Sequence, residues 1–302
     1  MKKIKKIKIC PLCREKKFKV LAVLDKEQVE RCKNCGLVFL NPQIINKKGD
    51  EYEPLNLDLL FNYLSLIRKK QYKKDLFQLK HFIKKGQLLD VGCSQGWFLK
   101  EASKAGFKTI GIEPSKKVIK WAQKNNPKVK IIPGELNKKQ FKKTSFDVVT
   151  AWSVLEHTID PKEMLRIISY YLKPGGILAL RIPNFESLAP KLIFFTNKLK
   201  IPLAKKALRD LYQCLFVYKH FFHFSPSTIK EMLNQTGFKI LYEMFENSLN
   251  PQLLSKRAAV SRTTDFHWAN NKLMFLIIKF VYKTAQVINK QDEMVVIAKK
   301  TN

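Results

Sequence analysis

The chain has 302 residues, of which 45% are hydrophobic, so it is long enough to bury a core and is expected to form one α/β domain with additions. Its 57 basic and 25 acidic residues leave a formal charge of +32, which points towards nucleic acid or an anionic membrane. Only eight of the basic residues are arginine and the lysines are spread along the chain. A lysine-rich solvated surface is therefore favoured over a dedicated polyanion site.

The first ten residues, MKKIKKIKIC, are basic but contain no apolar core of the kind that a secretory signal requires. No later apolar run approaches the roughly 18 residues of a membrane span. The sequence therefore predicts a cytoplasmic protein without a transmembrane segment. In a reducing compartment, paired cysteines indicate a metal site before a disulfide.

Four of the six cysteines lie in the first 40 residues, as two C-x2-C pairs separated by 18 residues. These are Cys10, Cys13, Cys32 and Cys35. This spacing is typical of structural Zn²⁺ sites, in which each pair supplies two thiolates to one tetrahedral ion. Gly36 suits the tight turn after the second pair, whereas Arg14 stands at the corresponding place after the first. We expect residues 1–45 to form a zinc ribbon with a closed, noncatalytic metal site.

From about residue 55 to 85, apolar residues recur at helical spacing opposite lysines, which predicts an amphipathic helix that Gly86 would end. The apolar positions are Leu59, Leu60, Tyr63, Leu64 and Ile67. Apolar runs then alternate with helical segments, and we expect strands at QLLDV, KTIGIEP, VKIIPG, FDVVTAW and GGILALRIP. This alternation indicates βαβ units and a mostly parallel sheet. We expect one domain over 46–302, with cap insertions at about 184–226 and 246–290.

The segment LLDVGCSQGWFL, residues 88–99, has the strand, glycine loop and helix start that seat a nucleotide-like ligand. It lacks the third glycine of a dinucleotide fingerprint and the Gly-Lys-Ser/Thr ending of a phosphate loop. Asp90 beside the loop would repel a pyrophosphate and attract a cation. S-adenosylmethionine, with its α-ammonium and its sulfonium, fits this requirement. Glu113, at the end of the next strand, can accept hydrogen bonds from ribose hydroxyls.

Four motifs in order, LLDVGCSQG, GIEPS, FDVVTAWSVLEH followed by DP, and YLKPGGILAL, make residues 86–183 resemble the class I S-adenosylmethionine-dependent methyltransferases. The resemblance implies a doubly wound, mostly parallel, seven-stranded Rossmann-like sheet. It also implies the cofactor's surroundings, carried over position by position. The implied residues are Asp90, Gly92, Ser94 and Gly96 around the methionine moiety, Glu113 at the ribose, Glu135 and Leu136 near the adenine, and Trp152 and Val154 along the cofactor.

The resemblance extends to both sides of this core. The cysteine pairs followed by GLVFLNPQ, and the later HFFHFSPSTIKEMLNQTGFK, resemble a bacterial group of zinc-knuckle methyltransferases. That group includes sugar C-methyltransferases and enzymes of surface-polysaccharide and secondary-metabolite pathways. The sugar enzymes usually carry a further C-terminal domain, whereas this sequence ends soon after EMVVIAK. The resemblance implies a small molecule or a glycan precursor as methyl acceptor.

Methyl transfer to a hydroxyl needs a base within hydrogen-bond reach, and histidine is the natural candidate at neutral pH. His157 follows the fourth strand of the core, and His220 and His223 lie in the segment expected to cap the acceptor. Structural roles are the alternative for all three, since His157 stands in a motif shared across unrelated acceptors and the others lie among phenylalanines. The residue types do not decide between acceptor contact and packing.

Three further interpretations stay open. RNA methylation is favoured by the charge and by the zinc module, but the sequence lacks the Asn/Asp-Pro-Pro-aromatic motif of enzymes that methylate exocyclic amines of nucleobases. A noncatalytic zinc-ribbon adaptor is the second, although the residues of the cofactor loop are intact. Peripheral membrane contact, compatible with enzymatic activity, is the third, because lysine alternates with Phe, Leu and Tyr in residues 191–222.

Overall fold

A computed structural model of the chain describes residues 3–45, 57–201, 207–209, 219–247 and 272–301. The central element is a seven-stranded sheet in the order β12-β13-β10-β9-β6-β7-β8. Its strands are β6 (Gly86–Val91), β7 (Phe107–Glu113), β8 (Ile131–Pro133), β9 (Phe146–Trp152), β10 (Leu172–Pro183), β12 (Phe238–Glu246) and β13 (Glu293–Lys300). β13 pairs antiparallel with β10 and β12, whereas β6 to β10 pair in parallel. The predicted fold class is confirmed.

Helices cover the sheet. They are α1 (Leu57–Leu79), α2 (Trp97–Lys104), α3 (Lys116–Asn125), α4 (Pro161–Tyr171), α5 (Leu188–Lys198), α6 (Pro226–Asn234) and α7 (Lys272–Val287). The side chains of Ser115 and Asp160 cap α3 and α4 by accepting backbone N–H bonds. The predicted end of the first helix at Gly86 is wrong, because α1 ends at Leu79 and Gly86 begins β6. Of the apolar positions predicted there, Leu64 and Ile67 are half-buried, and the side chains of Leu59, Leu60 and Tyr63 lie outside the described part.

Residues 3–45, called the N-terminal module below, contain five strands of their own. β1 (Lys3–Lys5) pairs with β5 (Gln43–Ile45), and β2 (Phe18–Leu24), β3 (Glu27–Cys32) and β4 (Val38–Asn41) form an antiparallel sheet. A fourth strand joins that sheet from far along the chain: β11 (Phe222–His223) pairs antiparallel with β4. The module is therefore attached to the remainder of the protein through backbone hydrogen bonds. The predicted insertions at 184–226 and 246–290 contain α5, β11 and α7, and parts of both insertions fall outside the described residues.

A buried ionic network fastens α1 to the sheet. Arg181 in β10 is fully buried, and its guanidinium donates at 2.5 Å both to Asp75 of α1 and to Glu293 of β13. It also pairs with Glu246 of β12. Burial raises the pKa of Asp75 to about 6, although the Arg181 charge opposes that shift. Because the network joins α1 to three strands of the sheet, α1 is held beside the carboxyl end of β10.

Candidate active site

The loop after β6 has glycines where its backbone passes close to the side chains of Val154 and Val129. Gly92 and Gly96 have φ angles of +67° and +71°, and Ser94 adopts +48°. A Cβ on Gly92 would lie 2.6 Å from Val154 Cγ2, and one on Gly96 would lie 2.9 Å from Val129 Cγ2. The N–H groups of Gly92 and Cys93 donate to the Ile112 carbonyl of β7. The glycines are thus required by both conformation and space, and the loop lies at the carboxyl ends of the parallel strands.

Asp90, the penultimate residue of β6, is buried, and its side chain accepts a 2.7 Å hydrogen bond from Thr150 of β9. It has no ion-pair partner among the described residues. Burial, reinforced by the nearby Glu113 charge, raises the pKa of Asp90 to about 8. A carboxylate in this position is stabilised when a ligand brings a positive charge. The buried Asp90 carboxylate therefore fits the α-ammonium of S-adenosylmethionine.

Glu113 ends β7 and is also buried. One carboxylate oxygen accepts from the Ser94 N–H at 3.1 Å, and the other accepts from the Ser115 N–H at 2.9 Å. The side chain thus joins the glycine loop to the start of α3. A carboxylate offers about four acceptor positions, so anchoring two amides is compatible with the ribose contact that the sequence predicts.

The remaining predicted cofactor residues differ in exposure. Glu135 is exposed after β8, and Leu136 beside it is half-buried against the core. Trp152 is 6% exposed, its ring packs at 5.0 Å from Phe98, and its Nε1 has no hydrogen-bond partner among the described residues. Val154 contacts the loop at Gly92. Glu135 and Leu136 follow β8, Trp152 is the last residue of β9, and Val154 follows it. Their contacts with the cofactor stay predictions.

The three predicted histidines form one cluster. The rings of His157 and His220 lie 4.7 Å apart, and those of His220 and His223 lie 5.4 Å apart. His220 is 8% and His223 is 1% exposed. Burial, together with the His157 charge, lowers the pKa of His223 to about 3, so its ring is neutral at physiological pH. The structure therefore brings His157 together with two histidines that follow it in the chain by 63 and 66 residues.

Glu156 is a member of this cluster that the sequence interpretation did not single out. It is 1% exposed, and its Oε1 lies 3.9 Å from His157 Nε2. Its Oε2 has no hydrogen-bond partner among the described residues. Burial raises the pKa of Glu156 to about 8. The sequence clue was an acidic residue directly before His157 at the end of a core strand.

The neighbouring helix α1 reaches the same end of the sheet. Arg68 donates from Nη2 to the Ser153 hydroxyl at 3.4 Å, and Ser153 in turn has a φ of +56°. The Ser153 N–H donates to the Arg181 carbonyl. Arg68 thus lies beside the segment that joins β9 to the histidine cluster. Tyr63, which the sequence also assigns to this helix, has a side chain outside the described part.

The four paired cysteines form a compact group in the N-terminal module. Their sulfur atoms lie within 4.8 Å of one another, with Cys10 and Cys35 at 3.6 Å and Cys13 and Cys32 at 3.5 Å. Sulfurs around a tetrahedral Zn²⁺ are about 3.8 Å apart, whereas a disulfide requires about 2.05 Å. Gly36 and Arg14 both have positive φ angles, of 78° and 65°. The donor set and its spacing fit a Zn²⁺ ion.

The sequence is similar to those of known proteins. Residues 65–243 match a family model described as a methyltransferase domain. An uncharacterized protein of Methanocaldococcus jannaschii is 30% identical over 196 residues, which are 65% of this chain and 81% of that protein. The mitochondrial ubiquinone biosynthesis O-methyltransferase of Schizosaccharomyces pombe is 28% identical over 145 residues, 46% of this chain and only 50% of that enzyme.

A solved structure from Bacillus halodurans C-125, described as that of a methyltransferase, superimposes with a TM-score of 0.54. It has 18% sequence identity, and the superposition covers 77% of this chain and 100% of the other. At that identity the likeness is one of fold. Within the described residues, every helix is too short or too polar to cross a membrane.

Proposed function

Because the chain belongs to the S-adenosylmethionine-dependent methyltransferases, we propose that it methylates a hydroxyl of a small molecule or glycan precursor. The observation that carries this proposal is the histidine cluster at the carboxyl end of β9. The His157 Nδ1 atom lies 3.0 Å from the Lys219 carbonyl, which can only accept a hydrogen bond. Nδ1 therefore carries a hydrogen, and in the neutral ring Nε2 carries the lone pair that activation of an acceptor hydroxyl requires.

The residues of the loop supply a site for the methyl donor. Asp90 would hold the α-ammonium, Glu113 the ribose hydroxyls, and Glu135 with Leu136 the adenine. The loop residues Gly92, Ser94 and Gly96, with Trp152 and Val154, would surround the rest of the cofactor. When bound, S-adenosylmethionine supplies a methyl group on a sulfonium, so that the oxygen–carbon bond forms as the carbon–sulfur bond breaks.

The protein's own contribution is orientation and proton removal. Holding the acceptor oxygen in line with the methyl carbon lowers the entropic part of the barrier. The hydroxyl proton must leave, and we assign its removal to the cluster of His157, His220 and His223. The Schizosaccharomyces pombe relative is a ubiquinone biosynthesis O-methyltransferase, which supports an oxygen acceptor.

We propose two modules, a zinc ribbon at 1–45 and a methyltransferase domain at 46–302 with the insertions given above. The Cys10, Cys13, Cys32 and Cys35 cluster supports Zn²⁺ as a structural ion, because four thiolates leave no open coordination position. The pairing of β4 with β11 supports a role for the ribbon in forming the acceptor side. The resemblance to zinc-knuckle enzymes of sugar and polysaccharide pathways supports a glycan precursor as acceptor.

The experiment is a transfer assay with methyl-labelled S-adenosylmethionine against nucleotide sugars, lipid-linked sugars, small phenols and total RNA. We expect label in one of the small-molecule or glycan pools and none in RNA. Label confined to RNA would overturn the acceptor class while leaving the enzyme class intact. A His157→Asn protein that binds the cofactor but transfers no label is expected in the same assay.

RNA is kept as the second acceptor because of one specific feature. A cavity of about 440 Å³ lies between α1, α2 and α3, and lysines from two of these helices line it. They are Lys69, Lys73, Lys100 and Lys104, beside Trp97 and Trp121. Ammonium groups next to aromatic rings suit an anionic, stacking ligand. The cavity is lined by helices rather than by the loop residues Asp90 and Glu113, which is why RNA ranks below a small acceptor.

We also propose peripheral contact with an anionic membrane. Leu192 and Phe195 on α5 and Leu199 directly after it recur at helical spacing, with exposed fractions of 39, 59 and 58%, and Phe280 on α7 is 70% exposed. Residues 187–208 and 267–291 contain lysines but no acidic residue. Such a basic, apolar surface fits anionic lipid headgroups. Co-sedimentation with phosphatidylglycerol vesicles is expected, and equal binding to phosphatidylcholine vesicles would contradict the electrostatic part.

A further inference from the structure

Three side chains in the histidine cluster have the arrangement of a metal site. One ligand atom each from Glu156, His157 and His220 can be chosen so that all lie within 4.8 Å of one another. Ligand atoms around one ion, with bonds of about 2.1 Å, lie about 3.4 Å apart. Side-chain movement on the order of 1 Å would therefore bring all three atoms to bonding distance from one ion. This group contains no cysteine and belongs to the methyltransferase part, not to the zinc ribbon.

The orientation of His157 supports ligation. Its Nδ1–H donates to the Lys219 carbonyl, as argued above, which turns Nε2 towards Glu156 at 3.9 Å. Metal-binding histidines almost always donate their other ring N–H to a carbonyl or carboxylate in this manner, since the bond fixes both tautomer and ring direction.

The burial of Glu156 supports a cation at the same place. Its side chain is 1% exposed, and Oε2 has no hydrogen-bond partner among the described residues. A buried carboxylate is costly unless a proton, a hydrogen bond or a cation compensates its charge. The backbone also constrains the group, because the Phe221 N–H donates to the Glu156 carbonyl at 2.8 Å and so joins the two chain segments that supply the ligands.

We propose that Glu156, His157 and His220 bind one divalent transition-metal ion, and that this ion lowers the pKa of the acceptor hydroxyl. Two imidazoles and one carboxylate favour Zn²⁺ or Fe²⁺ over Mg²⁺, and three protein ligands leave a position for an acceptor oxygen. The proposal rests on the function proposed above; with His157 and His220 bound to the ion, the metal-bound hydroxyl would lose its proton to solvent instead of to an imidazole of the cluster. It favours acceptors with a second oxygen beside the methylated hydroxyl, because such a pair can chelate the ion.

The test counts metal ions bound by the full-length protein. After removal of weakly bound metal with a mild chelator, the protein is dialysed against Zn²⁺ or against Mg²⁺ and analysed by elemental mass spectrometry. We expect two Zn²⁺ ions per chain, one in the cysteine cluster and one in this site, and no Mg²⁺ in the second. With Co²⁺, we expect the second ion to give a visible spectrum without thiolate-to-metal charge transfer.

Matched variants identify the second site. His220→Ala and Glu156→Gln should each weaken the second ion at least tenfold and retain the first, whereas His81→Ala, which alters an exposed histidine on α1's C-terminal side, should retain both. Cofactor affinity measured by calorimetry in every variant checks that the fold persists. If His220→Ala does not fold, Glu156→Gln provides the same comparison with minimal change in shape.

The outcomes separate this proposal from the proposed function. One Zn²⁺ per chain, or equal metal content in Glu156→Gln and His81→Ala, overturns the metal site. Methyl transfer to a hydroxyl by protein that lacks the second ion would leave the function standing and assign proton removal to an imidazole. Two bound ions without transfer to any hydroxyl acceptor would instead overturn the function while retaining the site.

Discussion

Replacing Gly92 by alanine should disrupt the cofactor loop through two separable effects. Gly92 has a φ of +67°, a conformation that costs a residue with a Cβ roughly 1–2 kcal/mol. The new Cβ would also lie 2.6 Å from Val154 Cγ2, and overpacking of this kind costs about 1–3 kcal/mol. Together, the free energy of unfolding should fall by about 2–5 kcal/mol. The displaced loop should bind S-adenosylmethionine at least tenfold more weakly.

The chain provides a matched control for the backbone effect. Gly106 has a φ of +95°, but a Cβ there would meet no atom within 4 Å. Gly106→Ala should therefore show strain without overpacking and leave cofactor affinity unchanged. Val154→Ala removes the methyl groups in the way, so the double variant Gly92→Ala/Val154→Ala should recover about 1–3 kcal/mol relative to the sum of the single changes.

The assays are denaturant unfolding for stability and calorimetry for cofactor affinity. Equal destabilisation by Gly92→Ala and Gly106→Ala would show that close approach to Val154 does not shape the loop. If the losses of stability in Gly92→Ala and Val154→Ala simply add in the double variant, the conclusion is the same. Unchanged cofactor affinity in Gly92→Ala would remove the loop from the binding site.

Three further expectations concern the module, the cofactor and pH. Cys32→Ser should lose the zinc of the ribbon, and a variant with full zinc content would refute the four-cysteine site. Glu113→Ala should weaken S-adenosylmethionine binding about tenfold to a hundredfold, measured by calorimetry, and unchanged affinity would exclude the ribose contact. Because the pKa of His223 is lowered to about 3 from 6.5, the unfolded chain binds one more proton between these pH values, and stability falls as pH falls, by at most about 1.4 kcal/mol per pH unit. In His223→Gln, the free energy of unfolding should fall less steeply as pH is lowered through this range, whereas the control His81→Gln should keep the original slope.

The central sheet could be predicted because strands such as β9 and β10 are buried on both faces. Runs such as FDVVTAW and ILALRIP are nearly continuous in apolar residues, which is typical of parallel strands covered by helices. Capping residues marked the helix starts, as Ser115 and Asp160 show. The glycine loop was predictable for a related reason, since its conformation leaves few residue types acceptable.

Contacts between distant segments could not be predicted in the same manner. β11 has two residues, and nothing in HFFHFSP indicates that it pairs with β4 at Val38 and Phe39. Arg181 stands within an apolar strand, and its partners Asp75 and Glu293 are supplied from 106 and 112 residues away. Glu156 was overlooked because its importance comes from burial beside His157, and burial is set by the whole fold. Gly86 was misassigned because a glycine suits the start of a strand as well as the end of a helix.

The pairing of β4 with β11 gives the N-terminal module a position in the chemistry. The Leu40 N–H donates to the Phe221 carbonyl, and the Phe221 N–H donates to the Glu156 carbonyl, so backbone bonds run from the module's sheet to the cluster. Lys219, directly before His220, pairs with Glu27 of β3. The glycine loop is instead anchored to β7 through Ile112. A change in the module should therefore act on the acceptor side before it reaches the cofactor loop, because the two sides are held by different strands.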